Sequence, residues 1–443
     1  MAALNTDLYE LTMAAGFFVA GKAEEIATFE LSVRRLPANR NFLIAAGLEQ
    51  AVEYLSGLRF EKDEIDYLRS LSQFSRVPDE FFRYLSGLRF RGDVFAMPEG
   101  TPVFPGEPLL IVRGPLIEAQ IVETFLLSTI AFQTTIASKA ARCVIAAQGR
   151  SIVEFGSRRA HSSGAGPLAA RAAYLSGCTG TSNAEAGLKY GIPVFGTAAH
   201  SWTMAFQTEE QSFRSLQRLL GENTIYLVDT YDTLEGARLA AQLGPPILGV
   251  RLDSGDLVTY SRQVRQILDE AGLRTTQIMV TNDLNEARIA HLLSSGAPID
   301  SFGVGTELST SADAPALSAV YKLVELQAGQ SHIYTAKYSD NKATLPGAKQ
   351  VYRFPDRDVM ALQNECSGYS EADPLLRPVL DKGKPVTSYP FLKELRENAM
   401  SAIQELPSDL RRIDQACQRR VDLSPQLRSL GDDLRNSRQL VTK

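Results

Sequence analysis

Residues 225–232, IYLVDTYD, and residues 248–256, LGVRLDSGD, share one pattern, in which a short apolar run ends abruptly in charged residues. Four further short apolar runs end in polar or glycine clusters, at residues 152–155, 193–195, 278–280 and 301–304. Patterns typical of amphipathic helices separate the runs, at residues 184–190, 209–220, 234–243, 257–271 and 286–294. Alternating strands and helices require parallel strands with crossover connections, and six such units favour a closed or nearly closed α/β barrel.

The segments on either side of this alternation have a different character. Pro and Gly punctuate short β-prone pieces at residues 94–114, and β-prone segments return at residues 331–338 and 350–354. We therefore predict an α/β barrel domain at residues 117–319, with segments of mixed helix and strand on either side, at residues 1–116 and 320–400. Residues 401–443 are polar and rich in Arg, and we predict a solvated helical tail there.

The composition of the 443-residue chain is that of a globular protein, with 44% hydrophobic and 22% charged residues. The net charge of -5 argues against a broad basic face for nucleic acid. No uninterrupted apolar run is long enough to span a bilayer, and the N-terminus lacks the basic region of a secretory signal. The four cysteines form no CxxC pair, which excludes a zinc knuckle and favours a reducing, cytoplasmic location.

The clusters that follow the apolar runs are the candidate functional site, because ligands of parallel α/β folds bind at the carboxyl ends of the strands. Arg251, Asp253 and Asp256 follow one run, and Asp229 and Asp232 follow its neighbour. Carboxylates there can accept ribose hydroxyls or hold magnesium, and Arg can clamp an anion. The alternative is that these side chains only cap the helices that follow and form local ion pairs. For the Arg251 segment by itself, both interpretations stay open.

Three further candidates follow other runs. Gly303 and Gly305 allow backbone N–H groups to approach a phosphate, which barrels often bind after the last strand. His200 is a candidate base or phosphoryl acceptor, although a lone histidine is more often structural. Arg158 offers a guanidinium fork to a carboxylate or phosphate. Phe155 is either a stacking platform or a core residue, and periodicity by itself favours the core.

Seven segments carry a more specific pattern. They are TDLYELTM at residues 6–13, FELSVRRLP at 29–37, EFGSRRAH at 154–161, GTSNAEAG at 180–187, GTAAHSW at 196–202, GVRLDSGDL at 249–257 and FGVGTEL at 302–308. Together and in this order, they resemble the nicotinate phosphoribosyltransferases, and the match extends to at least Arg353. The resemblance implies a type II phosphoribosyltransferase fold, which is an irregular, incomplete α/β barrel with a second α+β domain from the N- and C-terminal segments.

The activity that this resemblance implies joins nicotinate to phosphoribosyl pyrophosphate and gives nicotinate mononucleotide and pyrophosphate, the opening step of NAD salvage. The resemblance implies ATP as a co-substrate, hydrolysed through a phosphohistidine at His200, and Mg²⁺ as a cofactor. It also implies a homodimer with shared active sites. No nucleic acid and no membrane is expected as a partner.

The same resemblance assigns roles to individual residues. Phe155 and Tyr9 would sandwich the pyridine ring, with Tyr9 supplied by the neighbouring subunit. The catalytic group would comprise His200, Asp229, Arg251 and Asp253, with Asp253 and Asp256 near magnesium. Substrate contacts would come from Arg158, Thr181, Ser182, Ser254, Gly255, Gly303, Gly305 and Thr306. The polyphosphate or ATP would be met by Arg34, Lys342, Lys349 and Arg353.

One position bears on the choice between an acid and an amide substrate. Ser182 follows Gly180 and Thr181, where the related nicotinamide phosphoribosyltransferases carry Asp. A carboxylate there would repel nicotinate, whereas a hydroxyl can donate a hydrogen bond to it, so Ser182 favours the acid. The alternative is that Ser182 merely caps the helix that begins near Asn183.

Other activities are less consistent with the sequence. Nicotinamide phosphoribosyltransferase is the nearest alternative, and quinolinate phosphoribosyltransferases share the barrel type but lack the GTAAHSW histidine. A catalytically silent relative that only binds these metabolites is a further alternative, although every site position carries a chemically competent residue. A phosphate-binding barrel such as an aldolase would need a Schiff-base lysine at a strand end, and none of the six predicted strand ends has one.

Overall fold

The computed structural model describes residues 3–329, 331–338, 343–365, 368–369, 371–386 and 388–441. It divides into two compact units. Unit 1 comprises Met1–Thr134, Ala316–Phe391 and Cys417–Lys443, and unit 2 comprises Thr135–Pro315 and Leu392–Ala416. The chain first passes from unit 1 to unit 2 inside a long helix rather than near residue 117, and unit 2 takes up a segment beyond residue 320.

The first part of unit 1 places helices beside antiparallel strands. Its elements are α1 (Leu8–Val19), β1 (Ile26–Val33), β2 (Leu43–Ile44), α2 (Leu48–Ser56), α3 (Lys62–Ser70), α4 (Asp79–Gly87), β3 (Asp93–Ala96), β4 (Pro102–Val103), β5 (Pro108–Pro115) and α5 (Leu116–Gln120). Strand β5 is buried along almost its whole length, which is why it reads as a continuous apolar run. It pairs with β1 on one side and β3 on the other.

Helix α6 (Glu123–Ala146) leads into unit 2. The elements that follow are β6 (Ser151–Glu154), α7 (Ala165–Leu175), β7 (Gly180–Thr181), α8 (Ala184–Tyr190), α9 (His200–Met204), α10 (Glu209–Leu220), β8 (Ile225–Leu227), α11 (Thr233–Leu243), β9 (Gly249–Leu252), α12 (Leu257–Glu270), β10 (Gln277–Val280), α13 (Glu286–Ser294), β11 (Ser301–Val304) and α14 (Thr306–Ser309). The strands are parallel, in the order β7-β6-β11-β10-β9-β8. This is the order of a barrel that stays open between β7 and β8, so the prediction of an incomplete α/β barrel is confirmed.

One predicted strand of the barrel is wrong. Residues 193–195 form only an isolated parallel bridge between Val194 and Thr181, and Val194 and Phe195 are exposed. The strand at this edge is instead β7, which contains no apolar run. A Cβ at Gly180 would lie 2.3 Å from the carbonyl oxygen of Pro193, so close backbone contact rather than side-chain burial defines this edge.

Side-chain caps start several helices of unit 2 a few residues after each strand. Asp232 accepts hydrogen bonds from two backbone N–H groups at the start of α11, and Asp256 does the same for α12. Asn183 and Asn285 each accept one such hydrogen bond, at the starts of α8 and α13. Because a cap fixes where the helix begins, the loop between strand and helix is short, and its side chains lie close to the strand end.

The chain then returns to unit 1 through β12 (Ala319–Ala328), β13 (Ser331–Tyr334), β14 (Lys349–Arg353), β15 (Arg357–Leu362), β16 (Asp373–Pro374), β17 (Arg377–Asp381) and β18 (Lys384–Pro385). The larger sheet of unit 1 has the antiparallel order β13-β12-β1-β5-β3-β17-β18. The predicted second α+β domain is therefore present, and it draws strands from both ends of the chain.

The prediction of a solvated tail at residues 401–443 is wrong. Helix α15 (Leu392–Glu405) belongs to unit 2 and buries Leu395, Ala399 and Ile403. Strand β19 (Arg420–Leu423) pairs in parallel with β15, and α16 (Pro425–Val441) follows it with Leu427 fully buried. The segment has many charged residues, but its helices also carry a narrow apolar stripe, and this stripe is enough to pack against the rest of the protein.

Within the described residues, Leu116–Ala146 is the one helical stretch that is long and apolar enough to cross a membrane by length and composition. The sequence analysis found no such segment, because polar residues interrupt the stretch. The protein buries 61% of its most apolar window, and a core helix of a globular unit has the same character.

Candidate active site

The centre of the candidate site is the ion pair at the carboxyl end of β9. Arg251 Nη2 lies 2.9 Å from Asp253 Oδ1. The hydroxyl of Thr281, directly after β10, accepts a hydrogen bond from Arg251 Nε at 3.0 Å and donates one to Asp253. On the other side, Arg251 Nη1 donates to Thr197 Oγ1 at 2.8 Å. Residues that follow β9 and β10 are thus joined to the segment that precedes α9.

The charge state of Asp253 follows from these contacts. Burial acts to raise the pKa of Asp253, but the guanidinium of Arg251 and the hydrogen bond from Thr281 outweigh it and hold the pKa below its usual value. Asp253 is therefore ionised at neutral pH. A carboxylate in this state accepts hydrogen bonds from hydroxyl groups and does not serve as an acid.

Asp229 fixes the turn that carries Asp253. Its Oδ2 accepts hydrogen bonds from the backbone N–H of Asp253 at 2.8 Å and from the hydroxyl of Ser254 at 2.6 Å. Its Oδ1 is buried and has no hydrogen-bond partner among the described residues. Gly255 completes the turn at φ +76°, where a Cβ would lie 2.5 Å from the ring of Tyr260. The turn therefore requires glycine, and the second oxygen of Asp229 keeps unused hydrogen-bonding capacity.

His200 is the first residue of α9 and lies beside the same ion pair. Its Nδ1 is 3.2 Å from Thr230 Oγ1, and its Nε2 is 3.7 Å from Asp253 Oδ2. The side chain is 39% exposed. The contact with Thr230 engages Nδ1 and leaves Nε2 on the side of Asp253. An accessible imidazole nitrogen in this position can accept a proton or a phosphoryl group.

One cleft connects the ends of β6, β9, β10 and β11. It is lined by Phe155, Arg158, Arg159, Arg251, Asp253, Thr281, Asn282, Asp283, Gly303, Gly305 and Thr306. Phe155 is half-buried and its ring centroid is 6.0 Å from the guanidinium carbon of Arg251, so the core interpretation of Phe155 is wrong. A Cβ at Gly303 would lie 2.6 Å from the methyl of Thr281 and 2.7 Å from the Phe155 ring. Glycine is therefore needed for this close approach.

A buried carboxylate behind Phe155 ties two strand ends together. Glu154 Oε2 accepts a hydrogen bond from Thr181 Oγ1 at 2.6 Å, and Glu154 also accepts one from the backbone N–H of Gly156. Burial raises the pKa of Glu154 against the effect of these two hydrogen bonds. Thr181 is fully buried, and its hydroxyl also accepts from the N–H of Asn183. The hydroxyl of Thr181 is occupied inside the protein, so the predicted substrate contact of Thr181 has no support from its hydroxyl.

Ser182, the next residue, is exposed. Its backbone N–H donates to the carbonyl of Glu154 at 2.9 Å, which anchors it beside the Phe155 turn. The helix that follows is capped by the side chain of Asn183, which accepts from the N–H of Ala186 at 2.8 Å. The alternative that Ser182 merely caps α8 is therefore wrong.

The predicted magnesium ligands Asp253 and Asp256 both have partners within the protein, and their contact with magnesium stays a prediction. Asp256 accepts backbone hydrogen bonds from Val258 and Thr259 through Oδ1, and the Thr259 hydroxyl through Oδ2. The helix-capping interpretation is thus correct for Asp256, and Asp253 is occupied by Arg251. In the part of the chain that the structure describes, no group of three or more His, Cys, Asp or Glu side chains could hold a metal ion.

Two predicted residues of unit 1 are accessible. Tyr9 on α1 is 46% exposed, and burial of its hydroxyl end, a hydrogen bond with Glu10 and nearby carboxylates raise its pKa. Arg34 lines a cleft together with Arg35 and Lys322, and its Nε is buried without a hydrogen-bond partner among the described residues. Lys342 lies outside the residues that the structure describes.

Lys349 and Arg353, which are predicted to meet the polyphosphate, both have carboxylate partners inside unit 1. Lys349 is 2% exposed, and its ammonium donates to Glu30 Oε2 at 2.7 Å and to the carbonyls of Leu345 and Gly347 at 3.0 and 2.8 Å. These three acceptors use all of its N–H donors. The guanidinium of Arg353 lies 2.7 Å from the fully buried carboxylate of Asp358.

The sequence analysis did not assign a role to three residues that organise this site. Thr281 and Thr197 bind the guanidinium of Arg251, and Glu154 anchors Thr181. The available signals were weak: Thr281 comes directly after a strand, and Glu154 is an acidic residue inside an apolar run. Their roles depend on partners that are distant in the chain, which no local pattern identifies.

Comparison with known proteins gives consistent results along the whole chain. Residues 4–131 match the nicotinate phosphoribosyltransferase N-terminal domain, residues 150–343 the nicotinate phosphoribosyltransferase family, and residues 365–431 the nicotinate phosphoribosyltransferase C-terminal domain. Nicotinate phosphoribosyltransferase pncB2 of Mycobacterium tuberculosis is 45% identical over 94% of this chain and 89% of its own length. The nicotinate phosphoribosyltransferase of Bacillus subtilis is 41% identical over 84% of this chain and 75% of its own.

The fold is also similar to that of a solved structure. The crystal structure of human nicotinic acid phosphoribosyltransferase superposes with a TM-score of 0.84 at 28% sequence identity. The match covers 97% of this chain and 99% of the human chain.

Proposed function

The chain belongs to the nicotinate phosphoribosyltransferase family and is an enzyme of that type at the opening step of NAD salvage, and we propose that it joins nicotinate to phosphoribosyl pyrophosphate with ATP as a co-substrate. The observation that carries the proposal is the ionised Arg251–Asp253 pair, which lies in one cleft with the Phe155 ring and the exposed Arg158. An aromatic face can stack on a pyridine ring, and a guanidinium can bind a carboxylate or a diphosphate. A carboxylate can accept hydrogen bonds from the ribosyl hydroxyls.

The base would be oriented by the residues around β6. The pyridine ring stacks on Phe155, and its carboxylate faces the guanidinium of Arg158 and the hydroxyl of Ser182. The ring nitrogen carries no proton and supplies its own lone pair, so the reaction needs no general base. As the bond from the anomeric carbon to the diphosphate oxygen breaks, the new bond from that carbon to the pyridine nitrogen forms.

The ribosyl group would be held by residues around β8, β9 and β11. Asp253 and the unpartnered Oδ1 of Asp229 accept its hydroxyls, and the backbone near Gly303 and Gly305 receives the 5′-phosphate. Arg251 neutralises the departing diphosphate. Because the transition state resembles an oxocarbenium ion, positioning and charge neutralisation supply most of the catalysis.

Magnesium fits this site as a companion of the diphosphate rather than as a resident ion. Mg²⁺ is commonly held by one or two carboxylates together with substrate phosphates, and the buried, unpartnered Oδ1 of Asp229 suits such a contact. When bound, the ion would neutralise charge on the leaving diphosphate.

ATP would act through His200. The terminal phosphoryl group passes to an imidazole nitrogen, so that the bond to ADP breaks and a phosphorus–nitrogen bond forms, and water later releases phosphate. The accessible Nε2 beside Asp253 suits this role. Arg34, with its buried unpartnered Nε, is the described basic residue of unit 1 that supports a polyphosphate contact best.

We also propose a cytoplasmic homodimer with shared active sites, in which the ring that faces Phe155 is Tyr9 of the partner subunit. Leu8, Tyr9 and Met13 expose 42%, 46% and 40% of their surfaces along α1, and such an apolar helix face suits a subunit contact. Light scattering after size exclusion tests the assembly, and a monomer at micromolar concentration would contradict it.

The activity is tested by incubating the protein with phosphoribosyl pyrophosphate, Mg²⁺ and either nicotinate or nicotinamide, with and without ATP. We expect mononucleotide from nicotinate, and nicotinate-dependent ADP formation that disappears in His200→Ala. A preference for nicotinamide would contradict the assignment of Ser182. Tight binding of phosphoribosyl pyrophosphate without turnover of either base would identify a catalytically silent relative.

A further inference from the structure

The guanidinium of Arg251 is held from two sides by neutral hydroxyl groups. Nε donates to Thr281 Oγ1 at 3.0 Å, and Nη1 donates to Thr197 Oγ1 at 2.8 Å, with the carbonyl of Ala198 at 3.5 Å. Nη2 faces Asp253 at 2.9 Å. Each guanidinium nitrogen therefore has its own partner, and the orientation of the fork is fully specified although the side chain stays 12% exposed at the cleft.

Thr281 acts on two charged groups at once. It is 4% exposed, and its hydroxyl accepts a hydrogen bond from Arg251 and donates to Asp253, with the carbonyl of Leu252 as a longer acceptor at 3.4 Å. A hydroxyl is suited to this bridge because it is both a donor and an acceptor and carries no charge. The bridge sets the angle between guanidinium and carboxylate without neutralising either of them.

Thr197 connects Arg251 to a different segment. It lies three residues before His200, in the segment that leads into α9. Its hydroxyl is therefore a link between the imidazole-bearing segment and the anion clamp on β9. His200 itself approaches the same ion pair from the other direction, with Nε2 3.7 Å from Asp253.

We propose that Thr281 and Thr197 are positioning residues that hold Arg251 from its two sides, Thr281 for the ribosyl transfer and Thr197 for the coupling of that transfer to His200. The part that concerns Thr197 rests on the proposed function of His200 in ATP hydrolysis. A phosphoryl group on His200 brings negative charge close to Asp253, and the resulting repulsion displaces the segment before α9. Thr197 passes this displacement to Arg251, which contacts the diphosphate.

The Thr281 part is tested with Thr281→Val, which keeps the shape and removes the hydroxyl, and Thr281→Ser, which keeps the hydroxyl. We expect kcat at saturating nicotinate and phosphoribosyl pyrophosphate to fall about 10- to 100-fold in the valine variant, with KM for nicotinate changed less than threefold. The serine variant should recover most of kcat. A valine variant with kcat within twofold of the parent, or a serine variant no better than valine, would overturn this part.

The matched control is Thr224→Val. Thr224 is a buried threonine just before β8, and its hydroxyl donates only to the carbonyl of Gly221 at 2.6 Å among the bonds that the structure describes. We expect its kcat to stay within twofold of the parent, while thermal unfolding reports the stability cost of removing a buried hydroxyl. If Thr281→Val fails to fold, Thr281→Ala removes the same hydroxyl without adding bulk and replaces it in the comparison.

The Thr197 part is tested by the ratio of the rates with and without ATP, together with transfer of label from γ-labelled ATP to the protein. We expect Thr197→Val to accept the label as the parent does but to lose most of the ATP stimulation, whereas Thr281→Val keeps the parental ratio. A parental ratio in Thr197→Val would overturn this part. If the parent shows neither ATP stimulation nor label, the proposed role of His200 fails and the Thr197 part fails with it, while kcat still decides the Thr281 part.

Discussion

The strand-end site of unit 2 and the buried ion pairs of unit 1 contain similar charged side chains. In unit 2 the cation borders a cleft, whereas in unit 1 its donors are all used inside the protein. Arg251 has one carboxylate partner and two threonine hydroxyls, and it borders a cleft. Lys349 gives its three donors to a carboxylate and two carbonyls, and it is 2% exposed. A cation whose donors are all satisfied in the interior has none left for a ligand, whereas a guanidinium has five N–H groups, so Arg251 keeps a donor for a ligand beside these partners.

A second cluster in unit 1 shows the same contrast. Asp358 is paired with Arg353 at 2.7 Å and Arg419 at 2.9 Å, and these two guanidinium groups hold its pKa below the usual value against the effect of burial. Burial, followed by the charge of Asp358, raises the pKa of neighbouring Glu107 well above the usual value. Both carboxyl groups have partners inside unit 1, so this cluster supports the fold.

The largest expected effect is the loss of stability in Lys349→Met, which tests whether the buried Lys349 serves the fold rather than a ligand. It leaves the carboxylate of Glu30 buried without its cation, which should lower the free energy of unfolding by about 3–5 kcal/mol. Denaturant titration measures this loss, and adding Glu30→Gln should recover most of it. An unchanged unfolding free energy combined with a raised KM for ATP would reinstate Lys349 as a polyphosphate ligand.

On the functional side of the contrast, Arg251→Lys should lower kcat/KM for nicotinate about 100-fold. A single ammonium cannot reach Thr197, Thr281 and Asp253 in the fork geometry that these partners define. Steady-state kinetics gives the loss, and thermal unfolding should stay within a few degrees of the parent. A loss below fivefold would mean that charge alone, rather than the orientation of the fork, matters at this position.

Ser182→Asp places a carboxylate without a dedicated cation beside the Phe155 turn, whereas the Glu30 carboxylate of unit 1 is paired with Lys349. We expect kcat/KM for nicotinate to fall about tenfold through charge repulsion, with no loss for nicotinamide. Ser182→Ala is the matched control and should cost nicotinate about threefold, because it removes one hydrogen bond without adding charge. Equal losses with both bases in Ser182→Asp would contradict a role in choosing the acid.

The smallest expected effect is on stability and concerns Glu10, a buried acidic residue of unit 1. Its partner is the amide of Gln120, whereas the partner of Glu30 is the ammonium of Lys349. Gln120 Nε2 donates to it at 2.6 Å, and burial raises its pKa to about 7. Because the pKa is higher in the folded protein, ionisation of Glu10 costs stability as the pH rises from below 5 towards 7 and above.

Glu10→Gln should therefore stabilise the protein by about 1 kcal/mol at pH 8 and by much less at pH 5. Thermal unfolding of both proteins at the two pH values measures the difference. The same stability difference at both pH values would mean that Glu10 does not gain its proton on folding.

Much of unit 2 could be predicted from the sequence, because its signals are local. An apolar run followed by Asp or Asn marks a strand end and a helix cap within a few residues, and this pattern located β8, β9 and β10 closely. The edge strand β7 was not predicted, because it is defined by close backbone contact, which leaves little trace in composition. The C-terminal elements were not predicted to pack, because their apolar stripe is narrow.

By itself the sequence determined the family, the incomplete barrel and the cluster around Arg251, Asp253 and His200, since these follow from short segments read in order. Only the tertiary structure decided which charged residues remain available. Asp256 caps a helix, and the buried hydroxyl of Thr181 donates to Glu154. Lys349 donates to Glu30, which is 319 residues away in the chain. The physical reason is that a local pattern specifies the backbone, whereas a side chain's free hydrogen-bonding capacity depends on partners that folding brings together from distant parts of the chain.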